Sequence, residues 1–267
     1  MIDIHSHILP GIDDGSPDVE TSIKMAKIAV EEGITEMVAT PHFIPNDKEI
    51  DKELILEKVK ELNQIFTRNN INLTLYPGEE IFLSLDIPKL LDEGRILTLF
   101  DQKKYMLIEL PMMSLPSYTM EVLWAVKLRN ITPIIAHPER NREIINDVSK
   151  LREFIRIGAL IQVNSLSLMG VFGSEVKKTA EKIIKKKYAQ FIATDCHTPR
   201  ARSPRINKAV KDLPQMLTKT LTMENPLKVK NNEEIKVELK DYTDKKMGIL
   251  KRLSVFLNSL KEARVEE

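Results

Sequence analysis

Short apolar runs alternate with longer amphipathic stretches along most of the chain. Seven runs rich in β-branched and other apolar residues predict strands: Ile2 to Ile4, Glu36 to Ala39, Leu73 to Tyr76, Met106 to Glu109, Pro133 to Ala136, Leu160 to Val163 and Phe191 to Thr194. Apolar residues recur every three or four positions between them, which predicts helices such as Val19 to Glu32, Glu49 to Asn69 and Thr119 to Arg129. Asp18 or Ser16 is placed to cap the first helix. Each strand and helix unit takes about 30 residues, a spacing typical of βα units around a parallel sheet or barrel.

The pattern changes near the end of the chain. Nothing before Leu217 resembles a linker, so we interpret that part as one domain. From Leu217 to Lys246 the sequence is polar and lysine-rich and predicts only a short strand. A helical apolar face follows at Met247, Leu250, Leu253, Leu257 and Leu260. We expect this helix to dock on the barrel or on a sister subunit.

Basic residues beside that face offer an alternative for the tail. They are Lys245, Lys246, Lys251 and Arg252. A basic amphipathic helix is also typical of proteins that lie on a membrane surface.

Composition narrows the classes of function. The 40 basic and 39 acidic side chains nearly cancel, so no overall field draws the 267-residue chain to nucleic acid. No apolar stretch approaches the roughly 20 residues of a membrane span, and Met1 opens a predicted strand rather than an export signal. The single cysteine, Cys196, cannot form an internal disulfide. We therefore expect a cytoplasmic protein.

All five histidines lie at or just beyond the carboxyl end of a predicted strand. They are His5 and His7 after the first strand, His42 after the second, His137 after the fifth and His197 after the seventh. Carboxylates occur at similar places: Asp13, Asp14, Glu79, Glu80, Glu109 and Asp195. In a parallel barrel those strand ends converge on one face. Imidazoles and carboxylates gathered there indicate a site for more than one ion of zinc, manganese or iron.

Two arginines follow these histidines closely. Arg140 lies three residues after His137, and Arg202 lies five residues after His197. A planar guanidinium group pairs with two phosphate oxygens at once. Both arginines are therefore candidates for binding a phosphate that lies over the metals, with surface salt bridges as the alternative for each.

Cys196 and Arg202 also have the Cys-x5-Arg spacing, followed by Ser203, of the cysteine-dependent tyrosine phosphatases. In those enzymes the backbone N–H groups of the intervening loop surround the phosphate. Here the loop contains no glycine, and Pro199 has no N–H to donate. We therefore do not expect Cys196 to act as a nucleophile.

Five segments carry a more specific pattern: Asp3-Ile-His5-Ser-His7, Ala39-Thr-Pro-His42, Gly78-Glu-Glu80-Ile, Ala136-His137-Pro-Glu-Arg140 and Ala193-Thr-Asp195-Cys-His197. Together they resemble the PHP (polymerase and histidinol phosphatase) superfamily. Within it, the opening His5-Ser-His7-Ile-Leu-Pro-Gly-Ile-Asp-Asp14-Gly is similar to the manganese-dependent tyrosine-protein phosphatases of bacterial capsule and exopolysaccharide loci. The resemblance implies an α/β fold, a distorted (β/α)7 TIM-like barrel over residues 1–230. Residues 231–267 would form a C-terminal extension with one amphipathic helix.

The resemblance also implies three divalent metal ions and a ligand set for each. The first ion would be held by His5, His7, Glu80 and Asp195, the second by Glu80, Glu109 and His137, and the third by Asp14, His42 and His197. Glu80 is preferred to Glu79 because it directly precedes the apolar Ile81, and Asp14 is preferred to Asp13 by the same matching. Arg140 and Arg202 match the catalytic arginines that bind the substrate phosphate. Manganese is the expected metal, with iron or zinc as alternatives.

The function that this resemblance implies is hydrolysis of a phosphomonoester, with protein phosphotyrosine as the substrate. The expected partner is a bacterial tyrosine kinase that regulates capsule or exopolysaccharide synthesis. The alternatives are another phosphoesterase of the superfamily, such as a histidinol-phosphate phosphatase, and a non-catalytic regulator that binds phosphotyrosine. No nucleic acid partner and no integral membrane segment are expected, and a homo-oligomer is left open.

Overall fold

All seven predicted strands are present in the structure, a computed structural model that describes residues 1–237. Within these residues the strands are β1 Ile2–Ser6, β2 Glu36–Ala39, β3 His42–Phe43, β4 Thr74–Pro77, β5 Glu80–Phe82, β6 Tyr105–Glu109, β7 Thr132–Ala136, β8 Leu160–Asn164 and β9 Phe191–Ala193. Every pairing between them is parallel. The fold is therefore mixed α/β with parallel sheets, as the alternating pattern predicts.

The strands form two sheets, in the orders β1-β2-β4 and β3-β5-β6-β7-β8-β9. The sequence did not predict the short strands β3 and β5. Pro41 lies between β2 and β3, and Pro77 and Gly78 lie where β4 ends before β5. Because proline has no N–H to donate to a strand ladder, it interrupts the pairing. β2 pairs with β4 before the breaks and β3 pairs with β5 after them, so the same two segments stay neighbours.

Helices connect the strands. They are α1 Val19–Glu31, α2 Lys52–Arg68, α3 Ile87–Asp92, α4 Thr119–Leu128, α5 Arg142–Asn146, α6 Leu151–Arg156, α7 Ser165–Leu168, α8 Ser174–Lys185, α9 Asn207–Val210, α10 Gln215–Lys219 and α11 Asn225–Lys230. Short 3-10 helices cover Leu99–Asp101, Pro138–Arg140 and Val148–Lys150, and a π-helical turn covers Thr220–Glu224. None of the helices within residues 1–237 is long and apolar enough to cross a membrane.

The helices α1 and α2 show how the sequence pattern becomes packing. The Asp18 carboxylate accepts the backbone N–H of Thr21 at 2.7 Å, so Asp18 caps α1. Asp51 caps α2 in the same way. The buried face of α2 consists of Ile55, Val59, Leu62 and Phe66. Burying each such side chain stabilises the fold by roughly 1.5–3 kcal/mol, which fixes the helix against the sheet.

The segment after Leu217 differs from the prediction of a short strand. No strand occurs between Leu217 and Val237, and α10, the π-helical turn and α11 run consecutively to Lys230 instead. Val229 is buried in the apolar core, and the Asn225 side chain donates a hydrogen bond to the Gln190 carbonyl at 2.9 Å. Because the buried Asn225 is polar, the apolar periodicity expected of a helix is not visible in the sequence here. The rest of the predicted range, and the helix predicted around Met247, lie outside the described residues.

Side chains of the strands form one apolar cluster. It includes Ile4, Val38, Leu107, Ile134, Leu160 and Phe191. At the sheet margins, an isolated parallel bridge joins Ser6 to Cys196, and the Asp195 N–H donates to the His5 carbonyl at 2.9 Å. The chain after β9 therefore lies beside β1. Because the strands are parallel, their carboxyl ends open on the same side, where the polar residues lie.

Candidate metal centre

The nine side chains predicted to bind metal lie together, where β1, β6, β7 and β9 end and where β3 and β5 begin. They are His5, His7, Asp14, His42, Glu80, Glu109, His137, Asp195 and His197. Their donor atoms form four overlapping groups, each with all atoms within 4.8 Å: His7, Asp14, His42 and His197; His5, His7 and Glu80; His5, His137 and Asp195; and His42, Glu80 and Glu109. Several groups in the described part of the chain are thus suited to a cation.

The predicted first set converges closely. Nε2 of His5 and Nε2 of His7 lie 3.3 Å apart, and Glu80 Oε2 lies 3.3 Å from both. Asp195 Oδ1 is 3.5 Å from His5 Nε2 and 3.4 Å from His7 Nε2. Two imidazole nitrogens and two carboxylate oxygens therefore face one point, which is a donor set that divalent cations accept.

The other two predicted sets are grouped differently by the structure. Asp14 Oδ1 lies 3.4 Å from the Nε2 atoms of both His42 and His197, and His7 joins this group. His137 Nε2 lies 2.8 Å from Glu80 but 3.9 Å from Glu109. Glu109 instead falls in a group with His42 and Glu80. How the nine side chains divide among ions stays a prediction.

The tautomers of three histidines leave the same ring nitrogen facing the cluster. Nδ1 of His197 lies 3.0 Å from the Asp195 carbonyl, which can only accept, so this nitrogen donates. Nδ1 of His7 lies 2.6 Å from the Asp13 carboxylate. Nδ1 of His5 lies 3.0 Å from Gln162 Oε1. In each case Nε2 keeps its lone pair for a cation.

Three buried polar atoms of the cluster make no hydrogen bond within residues 1–237. They are Glu80 Oε2, Asp195 Oδ1 and His197 Nε2. Leaving a buried polar atom without a partner costs roughly 1–3 kcal/mol, and more when the group is charged. Cations bound among these side chains would satisfy the three atoms, so the donor set fits metal ions.

The electrostatics of the carboxylates favour bound positive charge. Burial alone would raise the pKa of Asp195, but the charge of His5 and its other cationic neighbours outweigh burial and lower it well below its usual range. Burial, followed by repulsion from Glu80, raises the pKa of Glu109 to about 7. Burial alone would lower the pKa of His42, but the nearby carboxylates of Asp14 and Glu80 outweigh burial and raise it to about 10. Positive charge is stabilised beside these carboxylates, whereas burial lowers the pKa of His137 and of His197 and disfavours their charged forms.

In two places the sequence has neighbouring carboxylates, Glu79 with Glu80 and Asp13 with Asp14. The structure shows which member of each pair faces the cluster. Glu80 faces the cluster, whereas Glu79 turns away and accepts the Leu97 N–H at 2.7 Å. Asp14 contacts two of the histidines, whereas Asp13 orients His7 and also accepts the N–H of His42 at 3.1 Å. The chosen residue of each pair is the one in the cluster.

Three orienting residues in the site were not singled out from the sequence. Gln162 Oε1 accepts from His5 and lies 3.3 Å from the backbone N–H of His137. Asn164 Nδ2 donates to Asp195 Oδ2 at 2.8 Å. Asp3 accepts the backbone N–H of Thr194 at 3.0 Å. A signal was present for Gln162 and Asn164, because a polar residue inside or just after an otherwise apolar strand needs a partner.

Both predicted arginines reach the cluster through Asp195. Arg202 Nη2 lies 2.7 Å and Arg140 Nη1 lies 3.2 Å from Asp195 Oδ2. The Arg140 guanidinium also lies over the Phe172 ring, 4.6 Å from its centroid. A cation–π contact of this kind restricts where the guanidinium can point. The guanidinium groups of Arg140 and Arg202 are therefore held beside the donor atoms of the cluster.

Two of the nine side chains sit on unusual backbone. His137 has φ 29° and Asp195 has φ 50°, both in the left-handed region that residues other than glycine rarely adopt. Such a conformation costs of order 1 kcal/mol and persists only where the surrounding structure enforces it. His137 directly follows β7 and Asp195 lies two residues after β9, so each strained turn aims its side chain into the cluster.

The position of Cys196 does not suit a catalytic role. Its side chain is fully buried, and burial raises the pKa of the thiol to about 12. The thiolate is the nucleophilic form of cysteine. The expectation that Cys196 is not a nucleophile agrees with this geometry.

Gly15 allows the loop that carries Asp14 to pack on His7. A Cβ on Gly15 would lie 2.1 Å from the His7 carbonyl oxygen and 2.5 Å from the His7 Cβ. We expect Gly15→Ala to push the loop and His7 apart by about 1 Å and to weaken metal binding by about tenfold or more. Isothermal titration of the stripped protein with manganese measures this.

The matched control for that change is Gly33→Ala. Gly33 lies outside the cluster and has φ 82°, so alanine there brings about 1–2 kcal/mol of backbone strain and leaves the donor atoms in place. It should lower the melting temperature but keep the metal affinity. Equal metal affinities for Gly15→Ala and the wild type would contradict the prediction.

Residues 1–235 match the family described as capsular polysaccharide synthesis, CpsB/CapC. The chain is 36% identical over 226 residues to the tyrosine-protein phosphatase YwqE of Bacillus subtilis, covering 82% of this chain and 89% of that protein. It is 31% identical over 238 residues to the tyrosine-protein phosphatase CpsB of Streptococcus pneumoniae, covering 86% of this chain and 98% of that protein.

A solved structure is similar over nearly the whole chain. It belongs to a study of YwqE from Bacillus subtilis and CpsB from Streptococcus pneumoniae, described as unique metal-dependent tyrosine phosphatases. The TM-score is 0.85 at 33% sequence identity, with 92% of this chain and 100% of that chain covered. The similarity therefore extends from the sequence to the fold that positions the cluster.

Proposed function

This chain belongs to the CpsB/CapC family of capsular polysaccharide synthesis, and we propose that it is a metal-dependent hydrolase that removes phosphate from phosphotyrosine in proteins. The observation that carries the proposal is the cluster itself. Buried donor atoms without hydrogen-bond partners lie directly beside two guanidinium groups. A site that binds cations and an anionic phosphate together is suited to phosphoester hydrolysis.

We propose three divalent ions, with manganese as the metal. His5, His7, Glu80 and Asp195 would hold one, with Glu80 shared with a second ion at Glu109 and His137, and Asp14, His42 and His197 would hold the third. When bound, such ions supply a nucleophile from water near neutral pH and neutralise the charge of the phosphate. The distances that support this assignment are those from Glu80 and Asp195 to His5 and His7.

The protein's own contribution is to hold the phosphate and the donor atoms in place. The two oxygens of the Asp195 carboxylate have different partners. Oδ1 faces His5 and His7. Oδ2 accepts hydrogen bonds from Asn164, Arg140 and Arg202. Because both guanidinium groups meet at Oδ2, a phosphate beside Asp195 lies within reach of both. They would bind its non-bridging oxygens and orient phosphorus towards the centre.

The domain boundaries and the barrel are part of the same proposal. We propose that residues 1–230 form the phosphatase domain as a distorted (β/α)7 barrel, with 231–267 as an extension. The parallel strands and the bridge between Ser6 and Cys196 support closure of the two sheets. The natural substrate we propose is a bacterial tyrosine kinase that regulates capsule or exopolysaccharide synthesis, since the family that the chain matches is described as capsular polysaccharide synthesis.

Turnover of p-nitrophenyl phosphate and of a phosphotyrosine peptide tests the proposal. We expect metal-stripped protein to be inactive, added manganese to restore activity, and Cys196→Ser to keep it within about threefold of the wild type, because the buried thiol takes no part. Activity that resists chelation and disappears with Cys196→Ser would place the chemistry on the thiol and reject the metal site. Turnover under no condition would favour a regulator that only binds phosphotyrosine.

A further inference from the structure

A groove beside the metal centre lies between α1 and the loop that follows β9. It has a volume of about 540 Å³. Lys24 and Lys27 line it from α1, and Arg200 lines it from the loop. We call this feature the basic groove. None of these three side chains belongs to the cluster or to the arginine pair, so the proposed chemistry does not use them.

Both walls of the basic groove are anchored to residues of the cluster. Pro17 lines one wall and follows Asp14 by three residues. Thr198 lines the other wall and directly follows His197. The walls of the groove therefore continue the two segments that carry Asp14 and His197, whose side chains lie 3.4 Å apart.

The loop that carries Arg200 is tied to the phosphate-binding side. The Thr198 N–H donates to the Arg202 carbonyl at 3.1 Å, and the Arg202 N–H donates to Thr198 Oγ1 at 3.1 Å. These bonds close a tight turn. Arg202 points from it to Asp195, while Arg200 lines the groove. One short turn thus links the groove to the proposed phosphate site.

The charged side chains that line the basic groove are all positive: Lys24, Lys27 and Arg200. The whole chain, with 40 basic and 39 acidic residues, is almost neutral. Lys24 pairs with Glu20 at 2.7 Å, an exposed ion pair that contributes little. Lys27 and Arg200 make no ion pair within residues 1–237. Their charges are therefore available to an acidic partner.

We propose that the basic groove binds acidic side chains next to the phosphotyrosine of a polypeptide substrate. The proposal rests on the phosphatase function proposed above and adds a preference for substrate sequence. An extended chain advances about 3.4 Å per residue. A polypeptide whose phosphotyrosine lies at the metals therefore places residues two to four positions away about 7–14 Å from it. Acidic side chains there complement Lys27 and Arg200.

Matched phosphotyrosine peptides test this preference. One peptide carries Asp or Glu at positions two to four from the phosphotyrosine, and the other carries Asn or Gln at the same positions. We expect kcat/KM to favour the acidic peptide by about fivefold to twentyfold at low salt. The preference should fall as ionic strength rises, because salt screens charges on an exposed surface.

Charge-reversal variants test whether the basic groove causes the preference for acidic peptides. Lys27→Glu and Arg200→Glu should each lower kcat/KM for the acidic peptide by about threefold to tenfold, with little change for the neutral peptide. Turnover of p-nitrophenyl phosphate should stay at the wild-type value, which also shows that each variant is folded. Lys60→Glu, the same charge change at an exposed position of α2, is the matched control and should alter neither peptide.

The outcomes separate this inference from the phosphatase function. Normal turnover of p-nitrophenyl phosphate with equal kcat/KM for the two peptides would overturn the proposed role of the basic groove and would leave the phosphatase function intact. A preference that Lys27→Glu and Arg200→Glu leave intact would also overturn it. Absence of turnover on every substrate would reject the phosphatase function itself. If a reversed charge disturbs folding, Lys27→Gln and Arg200→Gln provide the same comparison.

Discussion

Replacing Glu80 by glutamine is expected to lower kcat/KM for p-nitrophenyl phosphate by about a thousandfold or more. Glu80 Oε1 lies 2.8 Å from His137, and Oε2 faces His5, His7 and His42 without a hydrogen bond. A neutral amide removes the negative charge that the proposed first two ions share. Loss of about 4 kcal/mol of transition-state stabilisation corresponds to a factor of about a thousand.

The neighbouring residue is the matched control for this change. Glu79 is fully buried, and burial raises the pKa of its carboxyl well above the usual range, which favours the neutral form. Glu79→Gln supplies a neutral group of the same shape and can keep the bond from the Leu97 N–H. We expect its kcat/KM to stay within about threefold of the wild type.

Steady-state kinetics on both variants at saturating manganese decide between the two carboxylates. Equal losses for Glu79→Gln and Glu80→Gln would indicate general disturbance of the segment rather than loss of a metal ligand. Full activity of Glu80→Gln would remove Glu80 from the metal site.

Metal removal is expected to lower the melting temperature by about 8–16 °C relative to protein saturated with manganese. Buried carboxylates and imidazoles crowd the cluster, and three of their atoms have no hydrogen-bond partner in the described structure. A ligand at about a thousandfold excess over its Kd stabilises the folded state by about 4 kcal/mol. A domain of this size shifts by about 2–4 °C per kcal/mol.

Scanning calorimetry with chelator and with increasing manganese measures this shift without any substrate. The melting temperature should rise with the logarithm of the metal concentration, because only the folded chain presents the assembled cluster. Glu80→Gln should gain less from added metal than the wild type. The same melting temperature with chelator and with saturating manganese would contradict a metal centre in the folded protein.

The sequence could predict the site because its chemistry lies at strand ends. An apolar run sets the end of each strand, so the pattern of residues alone places His5, His137 and Asp195 on one face. The division of donors among ions could not be predicted in this way. It depends on ring orientations, and these are set by distant partners such as Gln162, 157 residues from His5.

Other differences between the predicted and the observed strands and helices also have local causes. The short strands β3 and β5 were missed because Pro41 and Pro77 interrupt runs that are too brief to show alternation. The helices between Gln215 and Lys230 were missed because their buried face includes polar residues such as Thr222 and Asn225. In each case a tertiary contact outweighs the local pattern, and one sequence alone does not display such contacts.

The burial of Cys196 bears on how such an enzyme would respond to oxidative stress. Enzymes that dephosphorylate tyrosine through an accessible thiolate are silenced when peroxide or an alkylating agent reaches the sulfur. Here the thiol is buried, and its pKa of about 12 leaves almost no thiolate at neutral pH. Oxidants that switch off the thiolate enzymes therefore have no corresponding target at this sulfur. Control of the reaction falls instead to whatever sets the supply of divalent metal.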